Sequence, residues 1–172
     1  MSETILVTGA SAGFGQAICR RLVADGYRVI GSARRIDKLQ ALQEELGEAF
    51  YPLQMDVTDL SQVDHALASL PKAWERVDVL VNNAGLALGL APAYEAEVAD
   101  WLTMIQTNIV GLTYLTRKIL PQMVERNDGY IINLGSTAGT VPYPGANVYG
   151  ASKAFVKQFS LNLRADLAGK KI

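Results

Sequence analysis

Residues 4–22 read "TILVTGASAGFGQAICRRL", and the fold is decided by how that stretch divides. Thr4 to Thr8 is a short apolar run of the kind that fills a buried strand. Gly9, Gly13 and Gly15 follow at once with the spacing G-x3-G-x-G, and a helical segment opens on the last of them. The spacing differs from the commoner G-x-G-x-x-G, but the physical task is similar: a tight turn, a backbone able to approach a pyrophosphate, and helix N-terminal amides aimed at an anion. Three glycines alone also suit a plain strand-to-helix turn. The strand–loop–helix context favours a phosphate-binding loop made of Gly9, Ala10, Ser11, Ala12, Gly13, Phe14 and Gly15.

The same alternation continues outward. Further strand-like runs occupy 28–33, 49–55, 77–82 and 129–135. Between them Ile36, Leu39, Leu42 and Leu46 recur at helical spacing, as do Val63, Ala66, Leu67 and Leu70. Strand and helix in repeated succession, with short links and no second composition regime, predict one α/β domain over 1–172: a doubly wound parallel sheet with helices on both faces. Two later segments, 101–123 and 148–167, carry apolar residues in nearly every direction around the helix. Such helices need cover on all sides: they are either central to the monomer or, the favoured reading, the contact between subunits of a homo-oligomer.

Composition narrows the partners. The 172 residues are 49% hydrophobic with a formal net charge of −1. No basic block points to nucleic acid or a membrane surface, and no apolar run approaches a bilayer-spanning length. "MSETILVTGA" lacks the basic start of a signal peptide, and the single cysteine, Cys19, forms no intrachain disulfide. A cytoplasmic protein is expected. No His, Cys and carboxylate cluster has metal-ligand spacing, so no metal is expected. His65 lies off its helix's apolar stripe and is read as solvent-facing.

The remaining motifs fall at predicted strand ends, where open α/β sheets bind ligands. "SARR" ends the second strand with Arg34 and Arg35, where an NAD site usually has an acidic residue for the ribose 2′-hydroxyl. Paired guanidiniums suit a 2′-phosphate instead, favouring NADP. Asp56 and Val57 end the third strand, and Asn83, Ala84 and Gly85 the fourth; all are candidates to line the cofactor, though Asn and Gly also serve in ordinary turns. Ser136 ends the fifth strand. Tyr149 and Lys153 lie four apart, hence on one helix face, and Asn108 is a polar residue inside an apolar helix, where it needs a partner.

In these motifs ("TGASAGFG", "NNAG", Asn108, Ser136 and "YGASK") the chain resembles the short-chain dehydrogenase/reductase family over its full length. "SARR", "NNAGLALG", "GSTAG" and "NVYGASKAFVKQFSLNLRADL" make it most similar to the NADP-dependent 3-hydroxy acid dehydrogenases that act on serine or L-allo-threonine. The resemblance implies a Rossmann-like sheet in the order 3-2-1-4-5. It also implies a catalytic set of Asn108, Ser136, Tyr149 and Lys153, and a tetramer built on helices 101–123 and 148–167. Tyr149 would move the substrate's proton, Ser136 would hold its oxygen, Lys153 would bind the nicotinamide ribose, and Asn108 would hold a water leading to solvent. The chemistry is sound in principle: a phenol ordinarily keeps its proton to about pH 10, and a positive charge about 4 Å away supplies ~4 kcal/mol at an effective dielectric near 20.

Relatives continue for roughly two more strands and a substrate-covering segment beyond "LRADLAGKKI". The reading therefore expects an incomplete C-terminal end, weak NADP binding and little turnover by the 172 residues alone. It keeps two alternatives open: a nucleotide-binding module without turnover, and a carbonyl reductase of other specificity.

Overall fold

The computed structural model describes residues 3–172. Five parallel strands, β1 (Thr4–Thr8), β2 (Arg28–Ala33), β3 (Phe50–Gln54), β4 (Val79–Asn82) and β5 (Tyr130–Asn133), lie in the order β3-β2-β1-β4-β5. β1 is central, with Leu6 beside both Ile30 of β2 and Leu80 of β4. All five of its residues are buried, as expected of a strand covered on both faces.

Helices α1 (Gly13–Ala24), α2 (Ile36–Leu46) and α3 (Leu60–Ala68) connect the first strands. On one face of the sheet Cys19, Leu39 and Leu42 pack with Val7, Val29 and Phe50. Burial there pushes the Cys19 thiol up to about 12, so it behaves as a small packing group. On the other face Val63 and Ala66 join Leu6, Ile30 and Leu80, together with Leu115, Ile119 and Met123 from a long helical rod. His65 is exposed, its ring nitrogen 2.8 Å from Ser61 O.

That rod departs from the expected continuous helix over 101–123. It comprises α4 (Val98–Ile105), a π-helical segment (Gln106–Gly111) and α5 (Leu112–Arg126). Asn127, in the left-handed region at φ 52°, stops it. The last helix, α6 (Asn147–Asp166), closely matches the predicted 148–167. The expected strands over 49–55, 77–82 and 129–135 are each shorter at their ends. At β4 the reason is visible: Asp78, just before the strand, turns its carboxylate onto Thr4 N at 2.9 Å and onto Arg76.

Because every strand runs the same way, the segments following all five converge on one rim. β5 is the outer strand, with Tyr130 60% and Ile132 42% exposed. Among the described residues no helix is long and apolar enough to cross a membrane.

Candidate active site

The rim is built first by close backbone approach. A side-chain carbon on Gly15 would overlap Gly9 O and stand 2.5 Å from Asn83 Nδ2, so only glycine lets α1 start against the loop after β1. Asn83 is held by donating to Thr8 O at 2.7 Å. Thr8 Oγ1 in turn accepts from Asn83 N at 3.0 Å and Ala84 N at 2.9 Å. "NNAG" is thereby clamped to the glycine loop across the junction of β1 and β4, where the direction of winding reverses and open α/β sheets form their crevice.

Two cavities share this crevice. One, of about 180 Å³, is lined by Ser11, Arg34, Arg35, Asp56, Val57 and Thr107 among others. The second, of about 460 Å³, is lined by Ala12, Gly13, Phe14, Asn83, Tyr149 and Lys153. Both touch Gly9, Ser11, Arg35, Ala84, Gly85 and Leu86, so together they form one elongated groove. At its first end Arg35 Nη2 donates to Ser11 Oγ at 3.0 Å, which holds one guanidinium over the glycine loop. Asp56 lines the same cavity, one carboxylate oxygen accepting from Thr58 N at 2.9 Å and Thr58 Oγ1 at 2.8 Å. The predicted cofactor residues therefore lie along one surface, from the arginines through Gly9 and Ser11–Gly15 to Gly85. The exception is Ala10, which is fully buried in the core and donates its N–H to Ser32 O at 3.0 Å. Phe14 is 80% exposed there.

At the other end α6 presents Tyr149 and Lys153 on one face, with Nζ 6.0 Å from the phenol ring centroid. Lys153 is only 8% exposed, and its ammonium donates to Leu134 O at 2.8 Å. Burial lowers its pKa from the ordinary 10.5. A side-chain carbon on Gly85 would stand 3.4 Å from Lys153 Nζ and 3.3 Å from Asn108 Oδ1, so glycine there opens the space both groups face.

Ser136 follows Leu134 and Gly135, which line the second cavity. It caps a short 3₁₀ turn (Thr137–Gly139), its Oγ accepting from Ala138 N at 3.2 Å. That turn packs hard on α6: a side-chain carbon on Gly150 would be 2.9 Å from Ala138 O. The turn that Ser136 caps therefore packs on α6 near Gly150 and Lys153, while Ser136 itself is not among the residues that line the two cavities.

Asn108 sits in the π segment, a device found often at functional sites. It is 1% exposed, and its side chain is committed. Oδ1 accepts from Leu86 N at 2.9 Å, while Nδ2 donates to Leu86 O at 2.9 Å and to Ser152 Oγ at 3.0 Å. Thr8 and Ser152 are working parts that the motif reading passed over. Their available signal was a hydroxyl at a position where the surrounding pattern calls for an apolar side chain.

A groove with paired cations towards one end and a phenol and an ammonium at the other is equipped to hold a phosphate-bearing ligand and to move a proton. Comparison with known proteins gives the same direction. The model of the short chain dehydrogenase family matches residues 3–172. The chain is 61% identical over 165 residues to an NADP-dependent 3-hydroxy acid dehydrogenase of Salmonella typhi, covering 96% of this chain and 66% of that one. It is 52% identical over 170 residues to a serine 3-dehydrogenase of Agrobacterium fabrum, covering 99% and 68%. The crystal structure of serine dehydrogenase from Escherichia coli superimposes with a TM-score of 0.95 at 59% identity, over 97% of this chain and 77% of that one. A closed form of serine dehydrogenase complexed with NADP+ gives 0.96 at 59% identity, over 97% and 67%. The chain thus spans about two thirds of the length of the curated relatives it matches. With the family model covering nearly all of it, the chain belongs to the short chain dehydrogenase family.

Proposed function

We propose that this chain is the dinucleotide-binding and proton-transfer part of an NADP-dependent oxidoreductase. Its substrate is a short 3-hydroxy acid of the serine or L-allo-threonine type, or the matching 3-oxo compound. The observation that carries the reading is the groove itself. Arg34 and Arg35 stand at one end, with Arg35 held by Ser11, and the Tyr149–Lys153 pair stands at the other. The names of the relatives supply the cofactor and the substrate class.

NADP, when bound, takes up or gives hydride at its nicotinamide. Arg34, Arg35 and Ser11 hold the 2′-phosphate, and Asp56 and Val57 flank the adenine. Gly9 to Gly15 bring backbone amides and the start of α1 to the pyrophosphate. Asn83 to Gly85 line the path towards the nicotinamide ribose, which Lys153 binds. Ser136 donates to the substrate oxygen. In oxidation Tyr149 accepts the alcohol proton while hydride leaves carbon; in reduction it gives a proton to the carbonyl oxygen as hydride reaches the carbonyl carbon. Lys153 is buried beside the phenol, its Nζ 6.0 Å from the ring centroid, so a positive charge stands at this end of the groove. Asn108, its amide committed to Leu86 and Ser152, stands where it would hold a water between Lys153 and solvent.

The protein acts as a homotetramer in the cytoplasm. Support for association comes from the apolar residues that the monomer leaves uncovered on the expected helices. Leu102 on α4 is 61% exposed, and Phe155, stacked on Phe159, and Leu161 are exposed on α6. An assay of NADP reduction with L-serine and L-allo-threonine, beside reduction of simple ketones with NADPH, tests the substrate class. A preference for the simple ketones replaces the 3-hydroxy acid reading with a general carbonyl reductase.

A further inference from the structure

Ser152 lies between the two charged and polar groups of α6, three residues after Tyr149 and one before Lys153, and is 0% exposed. Its hydroxyl donates to Tyr149 O at 2.7 Å and accepts from Asn108 Nδ2 at 3.0 Å. Asn108 closes two further bonds on the backbone of Leu86, next to the glycine that faces Lys153 Nζ. A continuous line of hydrogen bonds thus runs from the loop after β4, through the π segment, into the turn of α6 that bears Tyr149 and Lys153. Among the described residues, Ser152–Asn108 is the only side-chain hydrogen bond between the π segment and α6.

Apolar packing alone sets a helix's rotation and slide loosely, because hydrophobic contact has little directional preference. A buried, fully satisfied polar contact sets both, since any displacement leaves its donors unpaired. We infer that Ser152 is a positioning residue. Its hydroxyl fixes the first turns of α6 against Asn108 and Leu86, so that the nicotinamide half of the dinucleotide meets a preformed surface. The inference rests on the dinucleotide reading above. It assigns Ser152 no contact with cofactor or substrate, and leaves the adenosine end of the groove independent of it.

The test compares wild type with S152A, S152T and S152V by titration with two ligands. NADPH spans both ends of the groove; adenosine 2′,5′-bisphosphate carries only the phosphate-bearing adenosine half. Threonine and valine have the same shape and differ by one hydroxyl, so they decide the matter even if S152A fails to fold. The expected result is that S152V, and S152A if folded, bind NADPH about 10-fold more weakly than S152T. All variants should bind the fragment within about twofold of wild type. Equal NADPH affinity of S152T and S152V overturns the role of the hydroxyl. Parallel weakening of both ligands in S152V also overturns it, because the residue then acts through general packing. A wild-type chain that binds neither ligand overturns the dinucleotide reading, and this inference with it; one that binds both while the variants show no contrast overturns this inference alone.

Discussion

Gly15→Ala tests how the glycine loop makes room for its ligand. The added methyl would overlap Gly9 O and lie 2.5 Å from Asn83 Nδ2 and 2.7 Å from Gly9 C. None of these is the free end of a flexible chain. Gly9 belongs to the turn backbone, and Asn83 Nδ2 is tied to Thr8 O at 2.7 Å. Relief requires the start of α1 to shift by about 1 Å, at the ~1–3 kcal/mol typical of overpacking. Loss of the Asn83–Thr8 bond adds about 1 kcal/mol. The sum, about 2–4 kcal/mol, lowers the thermal midpoint by ~5–15 °C in a chain of this length. Gly13→Ala is the control. Nothing lies within 4 Å of its added methyl, and only the left-handed φ of 54° opposes it, at roughly 1–2 kcal/mol. Thermal unfolding followed by circular dichroism measures both, and NADPH titration should show binding lost in Gly15→Ala and merely weakened in Gly13→Ala. A Gly15→Ala protein that melts with wild type, or above Gly13→Ala, refutes the close-approach account.

Two further outcomes concern the other end of the groove. Tyr149→Phe keeps the ring and removes the proton donor and acceptor, so in a catalytically competent form of the protein NADP-linked turnover should fall by ~10²–10⁴ with NADPH affinity little changed; a near-normal rate there disproves the acid–base assignment. Lys153→Met should abolish turnover yet raise the thermal midpoint at pH 7 by about 2–4 °C, because it removes a buried charge held by one carbonyl. The sign with pH follows from the lowered pKa. Between that value and the ordinary 10.5 the folded state holds fewer protons than the unfolded one, so wild type gains stability as pH rises through this window. The advantage of Lys153→Met should therefore shrink towards pH 10.5, as melting curves of both proteins will show, and a variant less stable than wild type at pH 7 contradicts it.

Much of this architecture was legible in the sequence because its signals are local. The strand runs ending at Thr8, Ala33 and Asn82 are apolar where the sheet is covered on both faces, and each is followed by residues that only a rim needs: glycines, arginines, asparagines. Tyr149 and Lys153 announce a shared face by spacing alone. What escaped depends on contacts far apart along the chain. Thr8 clamping Asn83 and Ala84, Arg35 resting on Ser11, and Ser152 meeting Asn108 join residues separated by 24 to 76 positions. The π segment escaped for a related reason: Gln106 to Gly111 continues the apolar pattern on either side, and its wider turn is fixed by Asn108 reaching Leu86 and by Gly111 closing on Val57. Strand ends were overread at β4 because Val77 is apolar and buried, while the carboxylate of Asp78 is spent on Thr4 N and Arg76.

The central claim, that this groove holds a 2′-phosphorylated dinucleotide, is tested most directly by the ratio of affinities for NADPH and NADH measured on the same protein in the same buffer. The two cofactors differ only by the phosphate that Arg34 and Arg35 would meet. Charge-assisted bonds contribute ~1.5–3 kcal/mol each when sheltered, less at exposed arginines such as these. The predicted result is NADPH binding at least about 10-fold tighter, with the preference falling away in Arg34→Asp. Equal affinity for the two cofactors, or a preference for NADH, would contradict it.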